Sequence, residues 1–422
     1  MAPTLLGPTL LATCTTCQYA FPIAAETNRP ELPTRCPNCG GLCAVDPTIH
    51  PGQAVFLQPL AGPNEVRRWD LIAFQDLASR STQVKRVWGL PGESIELLQG
   101  EARSDGVMLR KSLAELRQVA VPVYDLARGG GCRWYSPGEQ PDVRASRATA
   151  ATATTATANL HVQAGQTYHL QHVRPAAVHP RDVPANQWLQ PSPVIDAYSI
   201  NQGLSTVDHA ISDGLIRLQL QRPLNAPLYI AVQFVGRGGE RILEVLIDPA
   251  ESSGELAAVS TAESEVRTDE VPSDADFRIA ARQRIELAWC DGRLLLETDL
   301  QSRVVEAEEL EALPARSPPL QPEWELPEIC RITSWQAIDI SHFRFARDLY
   351  LTSVPDIIAE RSSSVANSIA DSNADRSGAG TERLAGFYVL GDNLPASRDS
   401  RHELGRVPAA QILGRIVASP AP

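Results

Sequence analysis

The sequence lacks three features that would assign it to common functional classes. No window reaches the roughly eighteen uninterrupted apolar residues that a membrane-spanning helix requires. The first residues have no basic start followed by an apolar core, which a secretory signal would show. Positive charge is also scarce, because 38 Lys and Arg face 50 Asp and Glu and leave a net charge of -12. Such a chain repels phosphate backbones and anionic lipids. We therefore expect a soluble, cytoplasmic chain with no transmembrane segment and no nucleic-acid partner.

Short apolar runs bounded by turn residues dominate the sequence after residue 51. Examples are AVFLQPL, DLIAF and QVKRVWGLPGESIELL, which have the length and flanking residues typical of β-strands. Within the last run, Pro91 and Gly92 predict a tight turn. A hydrophobic content of 43% suffices to bury the cores of about two or three domains. We therefore expect a globular protein of mainly β class.

The eight cysteines are unevenly distributed, with five of them in the first 43 residues. Two CxxC motifs, CTTC and CPNCGG, lie at a spacing that suits two tight turns presenting four thiolates to one metal ion. The alternative is a chance pair of motifs or a pair of disulfides. We expect a structural zinc ribbon over residues 1–43, with Zn bound by Cys14, Cys17, Cys36 and Cys39.

Residues 391–401, GDNLPASRDSR, are unusually rich in polar and charged side chains. A second notable stretch is VKRV, where strand alternation places Lys85 and Arg86 on opposite faces and one of them inward. A lysine among apolar neighbours loses solvation, so its charged form is disfavoured and it can act as a neutral base. The alternative is a lysine on an edge strand that faces water.

VKRVWGLPGE and GDNLPASRDSR resemble two conserved boxes of the type I signal peptidases, which are membrane-bound serine peptidases with a Ser/Lys dyad. RRWDLIAF and GRVPAAQILGRIV resemble strands of the same family. The resemblance implies that Lys85 is the general base and that Ser397 orients its amine. It also implies four supporting residues, with an ion pair between the last two: Arg86, Asp392, Asp399 and Arg401.

The family's serine box reads Ser-Met-x-Pro-Thr-Leu and is followed shortly by Gly-Asp. AVDPTIHPGQ lies upstream of the lysine box, and its alignment places Ala44 at the position of the nucleophile and Gly52-Gln53 at Gly-Asp. Without a nucleophile the acyl-enzyme route is closed. Cys43 is an alternative nucleophile, although neighbouring residues of an extended segment face opposite ways.

The region between the two boxes is too long for a loop and predicts an inserted domain. Alternating runs such as GLIRLQLQ, and a hairpin turn at Asp291-Gly292, indicate a β-sandwich over residues 121–350 that resembles a concanavalin-like jelly roll. Such a sandwich could bind a carbohydrate or protein ligand. Residues 351–383 predict a flexible linker, and residues 44–120 and 384–422 form the two parts of the signal-peptidase-like core. DHAISDG could indicate a cation site, but turn and capping roles of Asp208 and Asp213 are commoner.

Three functions are compatible with these features. The first is a pseudopeptidase whose groove binds an extended peptide or signal peptide without cutting it. The second is an active peptidase that processes exported precursors with Cys43. The third is a scaffold that works through the ribbon and the sandwich. Thiolate ligands favour a reducing compartment, whereas the family habit would make the protein membrane-associated.

Overall fold

Strands dominate this computed structural model, which confirms the expected mainly β class. The structure describes the following residues: 4–15, 19–25, 34–36, 42–98, 100–127, 129–130, 132–135, 159–175, 189–191, 194, 210–236, 239–249, 275–312, 328–349, 351, 385–394, 397–402 and 404–417. The predicted linker lies outside them except for its first residue. In the described part of the chain, no helix is long and apolar enough to cross a membrane.

A three-stranded antiparallel sheet lies near the start of the chain, in the order β2-β1-β3. Its strands are β1 (Thr9–Cys14), β2 (Ala20–Ala24) and β3 (Cys43–His50). The segments that precede and follow this sheet in the sequence lie next to each other. There the backbone N–H of Gln53 donates to the carbonyl of Leu6 over 2.9 Å, and the N–H of Leu6 donates to Oε1 of Gln53 over 3.0 Å. The three-stranded sheet is therefore inserted between two neighbouring segments of the chain.

A five-stranded sheet carries the lysine box, in the order β25-β6-β5-β26-β4. Its strands are β4 (Phe56–Gln58), β5 (Leu71–Asp76), β6 (Ser81–Gly89), β25 (Tyr388–Leu390) and β26 (Ile412–Val417). Both faces of β6 are covered by apolar side chains, because Val87 packs with Ile72 and Phe74 whereas Trp88 packs with Trp69 on the other side. The sheet unites residues from the two ends of the chain.

Two small elements extend this core. A three-stranded sheet comprises β7 (Ile95–Leu98), β8 (Glu101–Ser104) and β9 (Val107–Met108). Helix α1 (Leu113–Val119) begins at Ser112 with a capping box, in which the hydroxyl of Ser112 accepts from the N–H of Glu115 and the carboxylate of Glu115 accepts from the N–H of Ser112. Its apolar face is buried against the five-stranded sheet and against residues of the inserted region.

Two large sheets form most of residues 121–350. The eight-stranded sheet comprises β10 (Val121–Asp125), β11 (Gly129–Gly130), β13 (Leu160–Val162), β16 (Gly214–Leu220), β20 (Arg284–Cys290), β21 (Arg293–Thr298), β22 (Ser302–Val305) and β24 (Ile338–Arg347). The seven-stranded sheet comprises β12 (Cys132–Tyr135), β14 (Thr167–Pro175), β15 (Leu189–Pro191), β17 (Leu228–Gly236), β18 (Gly239–Pro249), β19 (Phe277–Ala281) and β23 (Glu328–Ser334). A second helix, α2 (Ala307–Ala312), follows β22. The jelly-roll topology stays a prediction.

The eight-stranded sheet is a middle layer. One of its faces shares a hydrophobic core with the seven-stranded sheet, as Ile216 and Ile230 illustrate. The other face, which includes Leu215, packs with α1 and with Trp88 of the five-stranded sheet. Burial on both faces explains why β20 reads as a nearly continuous apolar run. The predicted turn at Asp291-Gly292 joins β20 to β21, with both residues at positive φ, as a tight hairpin turn requires.

We expect Gly214→Ala to lower the free energy of unfolding by about 1 to 3 kcal/mol, because the core has no room for a side chain here. A Cβ at this position would lie 2.6 Å from Cζ2 of Trp289 and 2.8 Å from Cε2 of Phe345. Denaturant unfolding measures the change. Gly62→Ala is the matched control, since a Cβ at Gly62 meets no atom within 4 Å. Equal stability of the two variants would contradict the packing described.

Candidate active site

Lys85 and Ser397 are in direct contact, although they lie far apart in the sequence. Lys85 lies on β6 with 9% of its surface exposed, and its Nζ donates to Oγ of Ser397 over 3.0 Å. Burial lowers the pKa of Lys85 below its usual value, and the charge of Arg401 acts in the same direction. The charges of Asp399 and Asp392 oppose this shift without cancelling it. The site therefore favours an uncharged amine at a lower pH than an ordinary lysine does.

Asp399 and Arg401 form the buried ion pair that the resemblance implies. Nε of Arg401 donates to Oδ1 of Asp399 over 2.8 Å, and its Nη2 donates to Oδ2 over 3.0 Å. Burial alone would raise the pKa of Asp399, but the hydrogen bonds and charge of Arg401, with a hydrogen bond from Ser397, bring that pKa below its usual value. Asp399 thus stays ionised and holds the hydroxyl of Ser397, which in turn accepts from Lys85.

Gly391 is required by the closeness of this packing. A Cβ on Gly391 would lie 2.1 Å from Oγ of Ser397 and 3.5 Å from Nζ of Lys85. The backbone N–H of Gly391 also donates to Oδ2 of Asp399 over 3.2 Å. Any side chain at this position would displace the serine hydroxyl that orients the lysine.

Arg86 is buried on the opposite face of β6 from Lys85. Its Nε and Nη2 donate to the two carboxylate oxygens of Asp392 over 2.8 and 2.7 Å, and both side chains are 1% exposed. Arg86 also donates to the carbonyls of Trp69 and Gln118 over 2.8 and 3.0 Å. Sequence analysis expected only one of Lys85 and Arg86 to point inward. This expectation is wrong, because both residues are buried. The inserted region covers the second face of β6.

Thr4 is a site residue that sequence analysis missed. Its hydroxyl donates to Oδ2 of Asp392, the carboxylate that also binds Arg86. A signal was available, because residues 1–5 read MAPTL and match the Met-x-Pro-Thr-Leu part of the serine box. Residues 1–3 lie outside the described residues. In this alignment the position of the nucleophile directly precedes Met1.

Ala44 and Cys43 lie elsewhere. Ala44 is exposed on β3, where it pairs with Thr13 of β1, and Cys43 pairs with Cys14. These strands belong to the three-stranded sheet, whereas Lys85 belongs to the five-stranded sheet. The structure therefore does not bring the position assigned to the nucleophile, or its thiol alternative, together with Lys85 among the contacts of the described residues.

Three cysteine thiols cluster at the end of the three-stranded sheet. The sulfurs of Cys14, Cys36 and Cys43 all lie within 4.8 Å of one another. Four thiolates around a zinc ion have sulfurs about 3.8 Å apart, given Zn–S bonds of about 2.3 Å. Small movements would bring these thiols to that spacing, so the cluster fits a zinc ion. Cys17 and Cys39 lie outside the described residues.

Lys85 can be observed directly, because the sequence contains only two lysines, Lys85 and Lys111. We expect the Nζ signal of Lys85, in protein labelled with ¹⁵N-lysine, to titrate at a pH below that of an ordinary lysine. Asp399→Asn should lower this midpoint further, since the substitution removes an anion that raises the pKa of Lys85. Lys85→Met assigns the two signals. An unshifted midpoint, or a rise in Asp399→Asn, would contradict the electrostatics described.

Comparison with known families supports the part of this site that lies on the lysine strand β6. Residues 43–178 match the family model described as signal peptidase, peptidase S26. The match includes Lys85 and covers less than half of the chain. No curated protein and no solved structure matches the chain. Over the matched region, the protein is therefore similar to signal peptidase I.

Proposed function

We propose that this chain builds the peptide groove of a signal-peptidase-like Ser/Lys peptidase, in which residues 1–5 form the nucleophile segment. The observation that carries the proposal is the position of Thr4 on Asp392, within the charge network that surrounds Lys85 and Ser397. In this proposal the groove binds an extended peptide, and its cleavage requires a hydroxyl at the position directly before Met1.

The alignment of residues 1–5 also accounts for the second part of the serine box. Gln53 was aligned with the aspartate of Gly-Asp, and it is bonded to Leu6 through two hydrogen bonds. Gly52 lies against Gly7, with an added Cβ 3.2 Å from the Cα of Gly7. The three-stranded sheet thus interrupts one box and leaves its halves adjacent. The Pro-Thr of AVDPTIHPGQ belongs to that sheet.

The chemistry of the site follows from Lys85. A neutral amine could accept the proton of a hydroxyl placed before Met1 as the oxygen attacks the carbonyl carbon of a peptide bond. The resulting ammonium could return the proton to the leaving amine, and the same amine could activate the water that releases the acyl group. Because Nζ donates to Ser397, its lone pair is directed away from that hydroxyl. Ser397 therefore orients Lys85 and does not compete with it.

The substrate class is an extended peptide. Many proteins bind extended peptides through backbone hydrogen bonds to the edge of a sheet. The outer edge of β25 is not available for this, because Val389 exchanges backbone and hydroxyl hydrogen bonds with Ser400, so the substrate class rests on the resemblance. The resemblance adds that the peptide is a signal peptide with small residues before the cleaved bond.

We expect a single serine placed directly before Met1 to create peptidase activity. The assay is cleavage of a fluorogenic peptide with a small-x-small site, by chains released from a fusion partner so that Ser or Ala precedes Met1. The serine chain should exceed the alanine chain by at least about 100-fold, because base catalysis by Lys85 typically contributes a factor of about 10² to 10⁴. Lys85→Met in the serine chain should abolish the difference.

The same assay tests the competing assignments. Ala44→Ser in the unextended chain should stay inactive, since Ala44 lies in a different sheet from Lys85. Activity in that variant would restore Ala44 as the position of the nucleophile, and activity of the unextended chain that disappears in Cys43→Ala would establish a Cys/Lys enzyme. An inactive serine chain in which Lys85 keeps its lowered pKa would contradict the proposal.

We further propose that the cysteine cluster binds one structural zinc ion, which Cys14 and Cys36 hold together with Cys17 and Cys39. Zinc would fix the ends of the three-stranded sheet, as it does in other small metal-bound folds. Cys43 lies against Cys14 and Cys36, so its thiol belongs to this end of the three-stranded sheet, whereas Lys85 belongs to the five-stranded sheet.

We expect about one zinc ion per chain by elemental analysis, as one tetrahedral thiolate site requires. Cys36→Ser should lose the metal and lower the melting temperature, because binding stabilises the folded sheet. The matched control is Cys330→Ala, which removes a buried thiol of the seven-stranded sheet and should leave the zinc content unchanged. Equal zinc content in Cys36→Ser and the parent protein would rule out this site.

A further inference from the structure

The second lysine of the chain lies in a buried cluster of carboxylates. Lys111 is 3% exposed, and its Nζ lies 2.6 Å from Oδ1 of Asp291 and 2.9 Å from Oδ2 of Asp348. The backbone N–H of Lys111 donates to Oδ2 of Asp291 over 2.8 Å. Lys111 is thus held between two carboxylates, both of which are nearly inaccessible to water.

Two further carboxylates crowd the same space. Glu101, Asp213 and Asp291 each place a carboxylate oxygen within 4.8 Å of the others. Asp213 accepts from the backbone N–H of Asp291 over 3.0 Å, and its carbonyl accepts from the N–H of Asp348 over 3.4 Å. Two buried and two half-buried carboxylates therefore lie around one ammonium group, which contacts the two buried ones directly.

The surrounding charges do not balance this excess. Arg347 is buried beside the cluster and donates to the carbonyl of Asp348 over 3.0 Å. Arg293 donates to the carbonyl of Lys111 over 2.8 Å and lies 3.7 Å from the carboxylate of Glu306. Cys290 is also close, and burial raises the pKa of its thiol, so it contributes no charge. With both arginines, Glu306 and its second partner Arg110 counted, five carboxylates face four cations.

The cluster connects the two halves of the molecule. Glu101 and Lys111 belong to the region that carries the five-stranded sheet, whereas Asp213, Asp291 and Asp348 lie at the ends of strands of the eight-stranded sheet. The ammonium of Lys111 also lies 5.7 Å from the ring centroid of Trp69, whose carbonyl accepts from Arg86. We call this boundary between the eight-stranded sheet and the lysine-bearing core the joint. A change in the charge of the cluster affects the residues on both sides of the joint.

We propose that this joint is proton-linked: the cluster retains protons at neutral pH, and their loss at alkaline pH loosens the eight-stranded sheet from the lysine-bearing core. Four anions at this separation repel one another strongly at low local dielectric, and a buried carboxyl relieves the repulsion by staying protonated. The inference stands whether or not the candidate active site cleaves peptides.

The electrostatics of the individual groups agree with this geometry. Burial, with the charge of Asp213, raises the pKa of Glu101 to about 8. Burial, with the charges of Asp348 and Asp291, raises the pKa of Asp213 to about 7. Burial also raises the pKa of Asp348, whereas the carboxylates keep the pKa of Lys111 well above its usual value. Lys111 therefore stays charged while its neighbours titrate.

The direction of the pH effect follows. A carboxyl whose pKa is higher in the folded state stabilises the fold fully below its unfolded pKa of about 4, and this contribution is lost as pH rises to the folded value. For Glu101 and Asp213 the loss extends through neutral pH and ends near pH 8. Stability should therefore fall from about pH 4 to about pH 8 and level off above it, and the range from pH 6 to pH 9 contains the end of this fall.

The experiment follows the Nζ signal of Lys111 and the melting temperature across this range, in protein labelled with ¹⁵N-lysine. We expect the Lys111 signal to shift with midpoints near 7 and 8 although Lys111 itself stays protonated. We expect the melting temperature to fall by at least about 4 °C. Glu101→Gln and Asp213→Asn should each leave one midpoint and reduce the fall. The midpoint left in Asp213→Asn should lie below the upper midpoint of the parent protein, because the charge of Asp213 raises the pKa of Glu101.

Glu309→Gln is the matched control, since Glu309 forms an exposed ion pair with Arg303 and should leave both profiles unchanged. A Lys111 signal that does not move between pH 6 and pH 9 would overturn the proposal. So would a fall in melting temperature that is the same in the parent protein, Glu101→Gln and Asp213→Asn. A rise in melting temperature on adding Ca²⁺ at pH 8.5, present in the parent protein and absent in Glu101→Gln, would assign the cluster to a metal ion instead of a proton.

Discussion

The rest of the structure depends on the buried ion pair between Arg86 and Asp392. Asp392 accepts a hydrogen bond from the hydroxyl of Thr4. Arg86 donates hydrogen bonds to the carbonyls of Trp69 and of Gln118 in α1. The start of the chain, the lysine strand, the helix and the final box thus meet at two side chains. Removing either partner would leave a charge buried without its counterion, which typically destabilises a protein by about 3 to 5 kcal/mol. The pair therefore fixes the geometry on which Lys85 depends.

Lys85 and Lys111 are both buried, but their pKa values shift in opposite directions. Lys85 donates to a neutral hydroxyl, and the nearby anions Asp399 and Asp392 are already paired with arginines. Burial therefore dominates and lowers the pKa of Lys85. Lys111 contacts two carboxylates directly, and they raise its pKa although it is more deeply buried. One lysine is available as a base, and the other serves as a permanent counterion.

Sequence analysis predicted the contacts between residues of the two boxes, VKRVWGLPGE and GDNLPASRDSR. The mainly β class and the hairpin turn at Asp291-Gly292 followed from local patterns. The closeness of Lys85, Ser397 and Asp399 followed from the family resemblance, although more than 300 residues separate the lysine from the serine. These predictions succeeded because short motifs with specific chemistry carried them.

The remaining features arise from contacts between distant segments. Sequence analysis assigned the serine box to AVDPTIHPGQ, with Ala44 at the position of the nucleophile, and did not consider MAPTL. The pairing of Leu6 with Gln53, which supports the proposed alignment with residues 1–5, joins segments that are distant in the sequence. Arg86 was expected to alternate with Lys85 between core and solvent, but α1 and the eight-stranded sheet cover the second face of β6. The carboxylates around Lys111 come from segments that no local pattern connects.

Thr4 connects the start of the chain to the charge network around Lys85 through Asp392. A double-mutant cycle between Thr4→Val and Asp392→Asn, followed by denaturant unfolding, measures the strength of this connection. Thr48 is the threonine of the competing alignment, so Thr48→Val with Asp392→Asn provides the control cycle. We expect a coupling energy of about 0.5 to 3 kcal/mol for Thr4 and none for Thr48. Coupling to Thr48 with none to Thr4 would contradict the proposed position of residues 1–5.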